Sequence, residues 1–333
     1  MKQTIRFCTT DDGARIAYAT TGSGPPIVRT GHWLTHLEYD LKSPVWLPFI
    51  ERLSEQHTFV RYDTRGTGMS DRDVETIDSD GWLRDLEAVV QDLGLSSFVL
   101  MGISQGGSTA IRYACLHPEK VNRLVLYGSY ARGRAHRDSD AESNPAMIDA
   151  VCTMIQKGWG SDDESYREFF SSRYVSSDDR EKIRWFNELE SMSATPEMAV
   201  KYYRALSNVD VRNLLAKVRT PTLVMHARGD KAVPFQYGRE FASGIAGSRF
   251  VPLEGDHHVL LEGDSASSAF HAELADFLGD KSPMIRKAAI GRFVKGWQRW
   301  IHQIHHTVEP YYVIAAVGSL VIGVISFLVN RFK

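Results

Sequence analysis

The sequence predicts an α/β protein built on a mostly parallel sheet flanked by helices. Short β-branched or apolar runs alternate with longer helical patterns over the first 280 residues, as βαβ units require. Each run feeds a turn rich in Gly, Asp or Ser. Between residues 134 and 213 the strand signal stops and charged, helix-compatible sequence takes over, which reads as a helical insertion over one end of the sheet.

Taken in order, strands are expected at 15–20 (RIAYAT), 27–29 (IVR) and 58–62 (TFVRY), followed by a helix over 82–93. A further strand, 97–101 (SFVLM), leads into a helix over 107–116, and 123–127 (RLVLY) returns to the sheet. The insertion, about 134–213, contains IDAVCTMIQKGW, YREFFSSRY, EKIRWFNELE and PEMAVKYYRAL. Strands at 222–226 (TLVMH) and 249–253 (RFVPL) and a helix over 266–278 complete the domain. The breaker residues GDKSP at 279–283 then mark its boundary, so residues 1–279 form one domain.

Hydrophobic residues at 43% and charged residues at 24% exclude a largely disordered or multi-spanning chain. A net charge of -2 argues against nucleic acid as a partner bound by bulk charge. Cys8, Cys115 and Cys152 are too few and scattered for a disulfide framework or a zinc site, and a reducing compartment is the simplest reading. The N-terminus reaches Asp11 and Asp12 before any apolar run long enough for a signal peptide. No nucleotide or dinucleotide fingerprint is present, and no cofactor is implied.

Residues 311–329 (YYVIAAVGSLVIGVISFLV) carry no charge. At about 1.5 Å per residue a helix of this length matches the roughly 30 Å hydrocarbon core of a bilayer. A single C-terminal transmembrane helix is therefore expected, with Tyr311 and Tyr312 at one interface. In the preceding segment, 280–310, residues 281–309 hold Lys281, Arg286, Lys287, Arg292, Lys295 and Arg299 against Glu309, with Phe293, Trp297, Trp300, Ile301 and Ile304 at helical spacing. It reads as a basic amphipathic juxtamembrane segment, and the positive-inside rule keeps the N-terminal part cytoplasmic, as in a tail-anchored protein. His302, His305 and His306 lack the carboxylate or thiol partners of a metal site.

The chemistry begins at Gly102-Ile103-Ser104-Gln105-Gly106-Gly107, between an expected strand and an expected helix. In this G-x-S-x-G setting the glycines let a strand turn sharply into a helix and hold the Ser104 hydroxyl exposed. A serine hydroxyl needs a base, and the base an orienting acid. Asp230 lies in the turn after the strand at 222–226, and His257 and His258 follow the strand at 249–253; either histidine could be the base. Asp256 is a competing acid, but two residues from His258 it is too local to orient that ring from another loop. The order Ser, Asp, His distinguishes this chain from two other well-known serine hydrolase orders.

Over residues 1 to about 279 the chain resembles the α/β-hydrolase superfamily. Asp63-Thr64-Arg65-Gly66-Thr67-Gly68-Met69-Ser70 matches the family's D-x-R-G-x-G-x-S loop, GISQGG its elbow, and GDKAVP its acid-bearing loop. WLTHLEY at 33–39 with Pro44-Val45-Trp46 resembles a bacterial branch fused to adenylate cyclase or LuxR-type domains. In that branch the run Val259-Leu260-Leu261-Glu262 follows the catalytic histidine, so the resemblance implies His258. It also implies an oxyanion hole made by the backbone N–H of Gln105 and of His32 or Trp33; Thr30-Gly31 stands where relatives carry His-Gly. Asp63, Arg65 and the glycines of their loop are expected to hold that loop by hydrogen bonds and tight turns, and His32 and His36 to serve packing and backbone roles.

The expected protein is a membrane-anchored serine hydrolase acting on an ester or thioester of a small-molecule or lipid-like acyl substrate. The catalytic residues are Ser104, Asp230 and His258, no metal is needed, and the helices of 134–213 wall the pocket. The alternative is a non-catalytic, membrane-tethered ligand-binding or sensor domain on the same fold.

Overall fold

The computed structural model describes residues 1–280 apart from 138–143, 162, 164, 167–170, 172 and 175–178. The chain divides into two compact units, Met1–Leu278 and Gly279–Lys333. All but the first two residues of the second unit lie outside the described residues, and so do the expected juxtamembrane segment after residue 280 and the span at 311–329. Among the described residues no helix is long and apolar enough to cross a membrane.

Eight strands form one sheet: β1 (Gln3–Thr9), β2 (Arg15–Thr21), β3 (Pro26–Arg29), β4 (Thr58–Tyr62), β5 (Phe98–Ile103), β6 (Val121–Tyr127), β7 (Thr222–Ala227) and β8 (Arg249–Leu253). Their spatial order is β1-β2-β4-β3-β5-β6-β7-β8. The first two pairings are antiparallel and the remaining five parallel. β5 is buried along its whole length between helices on both faces, which is why it reads as an unbroken apolar run. Register at the centre sets Ile103 beside Tyr127 and Met101 beside Arg29, bringing the carboxyl ends of β3, β5 and β6 to one rim.

β1 is not among the strands expected from sequence. QTIRFCT sits on the edge with most of its side chains exposed, Phe7 at 50%, so it carries no apolar run. The other seven strands occur where expected, with ends shifted by up to two residues. Helices without a sequence expectation also appear, Trp46–Ser54 and Gln236–Gly244 and the short Leu37–Asp40 and Arg212–Leu215.

The insertion contains helices Asn144–Gly158, Arg180–Ser193 and Pro196–Ser207. Ring contacts bind it to the sheet side: Trp159 meets Trp33 edge-on at 5.4 Å, and Trp185 stacks on Tyr39. Trp159 also donates its indole N–H to the carbonyls of Glu190 and Ala194, tying two helices of the insertion together. The loop after β4 behaves as a brace. Asp63 accepts from the N–H of Leu37 and Met69, and Arg65 is held by Asp85 at 2.8 Å and Asp12 at 2.6 Å. Gly68 is required there, since a Cβ would lie 2.2 Å from the Asp63 carboxylate.

Candidate active site

Ser104 stands between β5 and the helix Gly106–Leu116 with φ 54°, a left-handed conformation that costs a non-glycine residue energy. The flanking glycines make the turn possible. A Cβ on Gly102 would lie 2.7 Å from the Gly107 Cα, and one on Gly106 would lie 2.2 Å from Thr30 Oγ1 and 2.8 Å from the Gly31 carbonyl oxygen. The pattern read in the sequence is thus a close approach of β5, its following helix and the loop after β3. Leu34, at φ 59°, is the other non-glycine residue among those described with left-handed backbone, and it lines the same small cavity as Ser104.

That cavity is also walled by His32, Trp33, Tyr174 and His258. His258 is buried, and its Nδ1 donates to Asp230 Oδ2 at 2.7 Å. The other oxygen of Asp230 accepts from the backbone N–H groups of Ala232 and Val233, at 2.9 and 2.8 Å. Burial by itself raises the Asp230 pKa. The His258 charge and hydrogen bonds from His226, His258 and Val233 overcome that and hold the carboxyl well below its ordinary range. The carboxylate therefore stays ionised beside the imidazole. His257 points elsewhere, 4.0 Å from Asp264, and Asp256 is exposed, its side chain against Gly229.

Two residues at this corner carried no sequence signal. Gly128, at φ +54°, passes so close that a Cβ would sit 3.2 Å from the His258 ring and 3.5 Å from Asp230 Oδ2. His226, fully buried on β7, brings Nε2 to 3.4 Å from Asp230 Oδ2 while donating to the Val233 carbonyl at 2.8 Å.

Gln105, His32 and Trp33 border Ser104, and among the described residues no hydrogen bond engages the backbone N–H of any of the three. The His32 ring donates Nδ1–H to the Trp33 carbonyl at 2.7 Å and leans on Trp46. Burial, reinforced by the Arg29 charge, depresses the His32 pKa strongly, so the ring is neutral and fixes the loop rather than binding anions as a cation. No group of three or more potential metal ligands occurs among the described residues.

A second, larger cavity of about 100 Å³ opens beside Ser104, Gln105 and Trp33 and reaches under the insertion. A half-buried serine at a strained elbow, unengaged backbone N–H groups beside it and a histidine–carboxylate pair in the wall of the same cavity can support acyl transfer.

Comparison with known proteins identifies the fold. A family model described as the alpha/beta hydrolase fold matches residues 41–264. The chain is 29% identical over 266 residues to the AB hydrolase superfamily protein YisY of Bacillus subtilis (strain 168), covering 76% of this chain and 91% of that protein. It is 26% identical to the non-heme chloroperoxidase CPO-A1 of Kitasatospora aureofaciens, covering 82% and 98%. Among solved structures, an esterase from Exiguobacterium antarcticum superposes with a TM-score of 0.69 at 26% identity, covering 82% of this chain and 99% of that one.

Proposed function

This chain belongs to the α/β-hydrolase fold family, and from that footing we propose that it is a serine hydrolase cleaving an ester-type bond of a small-molecule or lipid-like acyl substrate. His258 takes the proton of Ser104 as the hydroxyl attacks the carbonyl, and Asp230 orients the imidazole and stabilises its positive charge. The backbone N–H of Gln105, with that of His32 or Trp33, holds the oxyanion. The alcohol leaves with the proton from His258, and water, deprotonated by the same ring, releases the acid from the Ser104 acyl-enzyme. The observation that carries this reading is the 2.7 Å contact of His258 with an ionised Asp230 in the wall of the cavity that also contains Ser104. A serine at the elbow and the likeness to an esterase favour carboxylic ester cleavage. The test is hydrolysis of a p-nitrophenyl ester series: Ser104→Ala should lose turnover by at least about 10³-fold. Equal rates for parent and variant would refute the proposal.

The same proposal places the enzyme on a membrane through residues 311–329, with the hydrolase domain cytoplasmic, on the strength of that uncharged stretch and its basic flank. Expressed full-length protein should sediment with membranes and need detergent for release, whereas deletion of 311–333 should move it to the supernatant. Full-length protein that stays in the supernatant would refute the anchor without touching the chemistry.

A further inference from the structure

Beyond Ser104 the larger cavity is lined by Arg134, Arg137 and Arg173, and among the described residues no acidic side chain lines it. Arg134 opens the short 3-10 turn Arg134–His136 and Arg137 closes it, where the chain leaves β6 for the insertion. The Arg137 guanidinium lies 4.2 Å from the Tyr237 ring centroid and 5.4 Å from that of Tyr130. Stacking of this kind fixes the plane of the group without using its N–H donors. Arg137 Nε is buried with no hydrogen-bond partner, and among the described residues no carboxylate pairs with Arg134 or Arg137. The neighbouring Arg132 shows the contrast, since Glu240 meets it at 3.0 Å. Burial draws the Arg137 pKa down, and the charge of Arg134 acts in the same direction. Two adjacent, half-buried guanidinium groups with no counter-ion among the described residues are costly, and the cost is relieved when an anion enters.

The geometry points to a substrate that carries an ionised carboxylate besides its scissile ester, seated by Arg134 and Arg137 while Ser104 takes the ester carbonyl. This deepens the serine-hydrolase reading and rests on it. The bond changes are those of ester hydrolysis: the acyl–oxygen bond breaks, the alcohol takes the proton, and water supplies the acid's hydroxyl. The carboxylate remains unchanged throughout. It can sit on the acyl part, as in a half-ester of a dicarboxylic acid, or on the alcohol part.

Full-length protein in detergent is assayed with two matched pairs, p-nitrophenyl butyrate against mono-p-nitrophenyl glutarate, and phenyl butyrate against 4-carboxyphenyl butyrate. The charged member of one pair should be preferred in kcat/KM by about tenfold or more, as charge-assisted hydrogen bonds allow, and the pair that responds locates the carboxylate. Arg134→Gln and Arg137→Gln should bring that ratio toward one, with Arg137→Lys intermediate. A parent that prefers the neutral ester in both pairs, or a ratio unmoved by the arginine changes, overturns the inference. A second measurement is independent of turnover. In Ser104→Ala, one of the diacids from succinate to pimelate should raise the unfolding temperature, and adding Arg137→Gln should abolish the rise; no rise with any diacid overturns the inference. Diacid binding without ester turnover by the parent would instead remove the serine-hydrolase reading and leave the anion site standing.

Discussion

Asp230 and His258, 28 residues apart in the chain, meet at 2.7 Å because the turns after β7 and β8 lie side by side at one rim of the sheet. The carboxylate is immobilised from the other side by two backbone N–H groups of its own turn. In the proposed mechanism it keeps the proton on Nδ1, leaving Nε2 to accept from Ser104. Asp230→Asn preserves the shape but offers an amide that can stabilise the wrong tautomer. A fall in kcat of about 10³–10⁴-fold with little change in folding is expected, measured by ester turnover and thermal unfolding together. A fall below tenfold would mean that another group orients His258.

The glycine at the far side of the elbow gives a second prediction. Gly106 lies so close to the loop after β3 that a methyl group would collide with Thr30 Oγ1 and the Gly31 carbonyl. Gly106→Ala should therefore push that loop, with His32 and Trp33, away from Ser104. Loss of about 10²–10³-fold in kcat, the scale of one lost oxyanion donor, is expected in protein that still folds, and a crystal structure should show the displaced loop.

How much of this was legible beforehand follows from where the signals lie. The elbow and the acid turn stand out because each follows an apolar strand and is punctuated by Gly or Asp at fixed places, whereas His257 and His258 lie side by side after their strand and only the family resemblance chose between them. The helix Gln236–Gly244 was not legible, because Gly238 interrupts it; a Cβ there would lie 2.5 Å from the buried His226 ring, so the glycine serves packing and weakens the helical pattern. The helix Trp46–Ser54 contains Pro48 in its first turn, and its start is held by the Ser43 hydroxyl, which accepts from the N–H of Val45 and Trp46, a cap lying outside the helix itself. Arg134 and Arg137 belong to no motif in the sequence. Only the fold turns them toward the cavity beside Ser104.

Beneath the loop after β3 lies a buried charge cluster that predicts a stability effect. Asp40 Oδ2 is 3.1 Å from Arg61 Nη1 and 3.6 Å from Arg29 Nη2, and all three side chains are essentially inaccessible. Removing the Asp40 carboxylate, the one in direct contact with both, leaves two buried guanidinium groups with only the more remote Asp63 charge to offset them. Asp40→Ala should cost about 3–5 kcal/mol, read from denaturant unfolding. The double replacement Asp40→Leu with Arg61→Met should recover part of that loss, because it removes one of the two stranded charges as well.

His271 gives a pH dependence of defined sign. It packs between Phe49 and Phe270, and burial, with the Arg52 charge nearby, brings its pKa down from 6.5 to about 4. Below about pH 6.5 the unfolded chain binds a proton that the folded chain refuses, so this stabilisation is complete above 6.5 and declines as the pH falls toward 4. The slope is about 1.4 kcal/mol per pH unit within that window. In His271→Phe the fall in unfolding free energy between pH 6.5 and 4 should be shallower than in the parent. Parallel curves would show that the ring is protonated in the folded protein.

The central claim is that Ser104 is a nucleophile activated by His258. It is tested most directly by exposing the full-length protein to a fluorophosphonate probe beside Ser104→Ala and His258→Ala. The account predicts rapid covalent labelling of the parent at Ser104, found by peptide mass spectrometry, and none in either variant. A folded parent that resists the probe, or label that persists in Ser104→Ala, would contradict it.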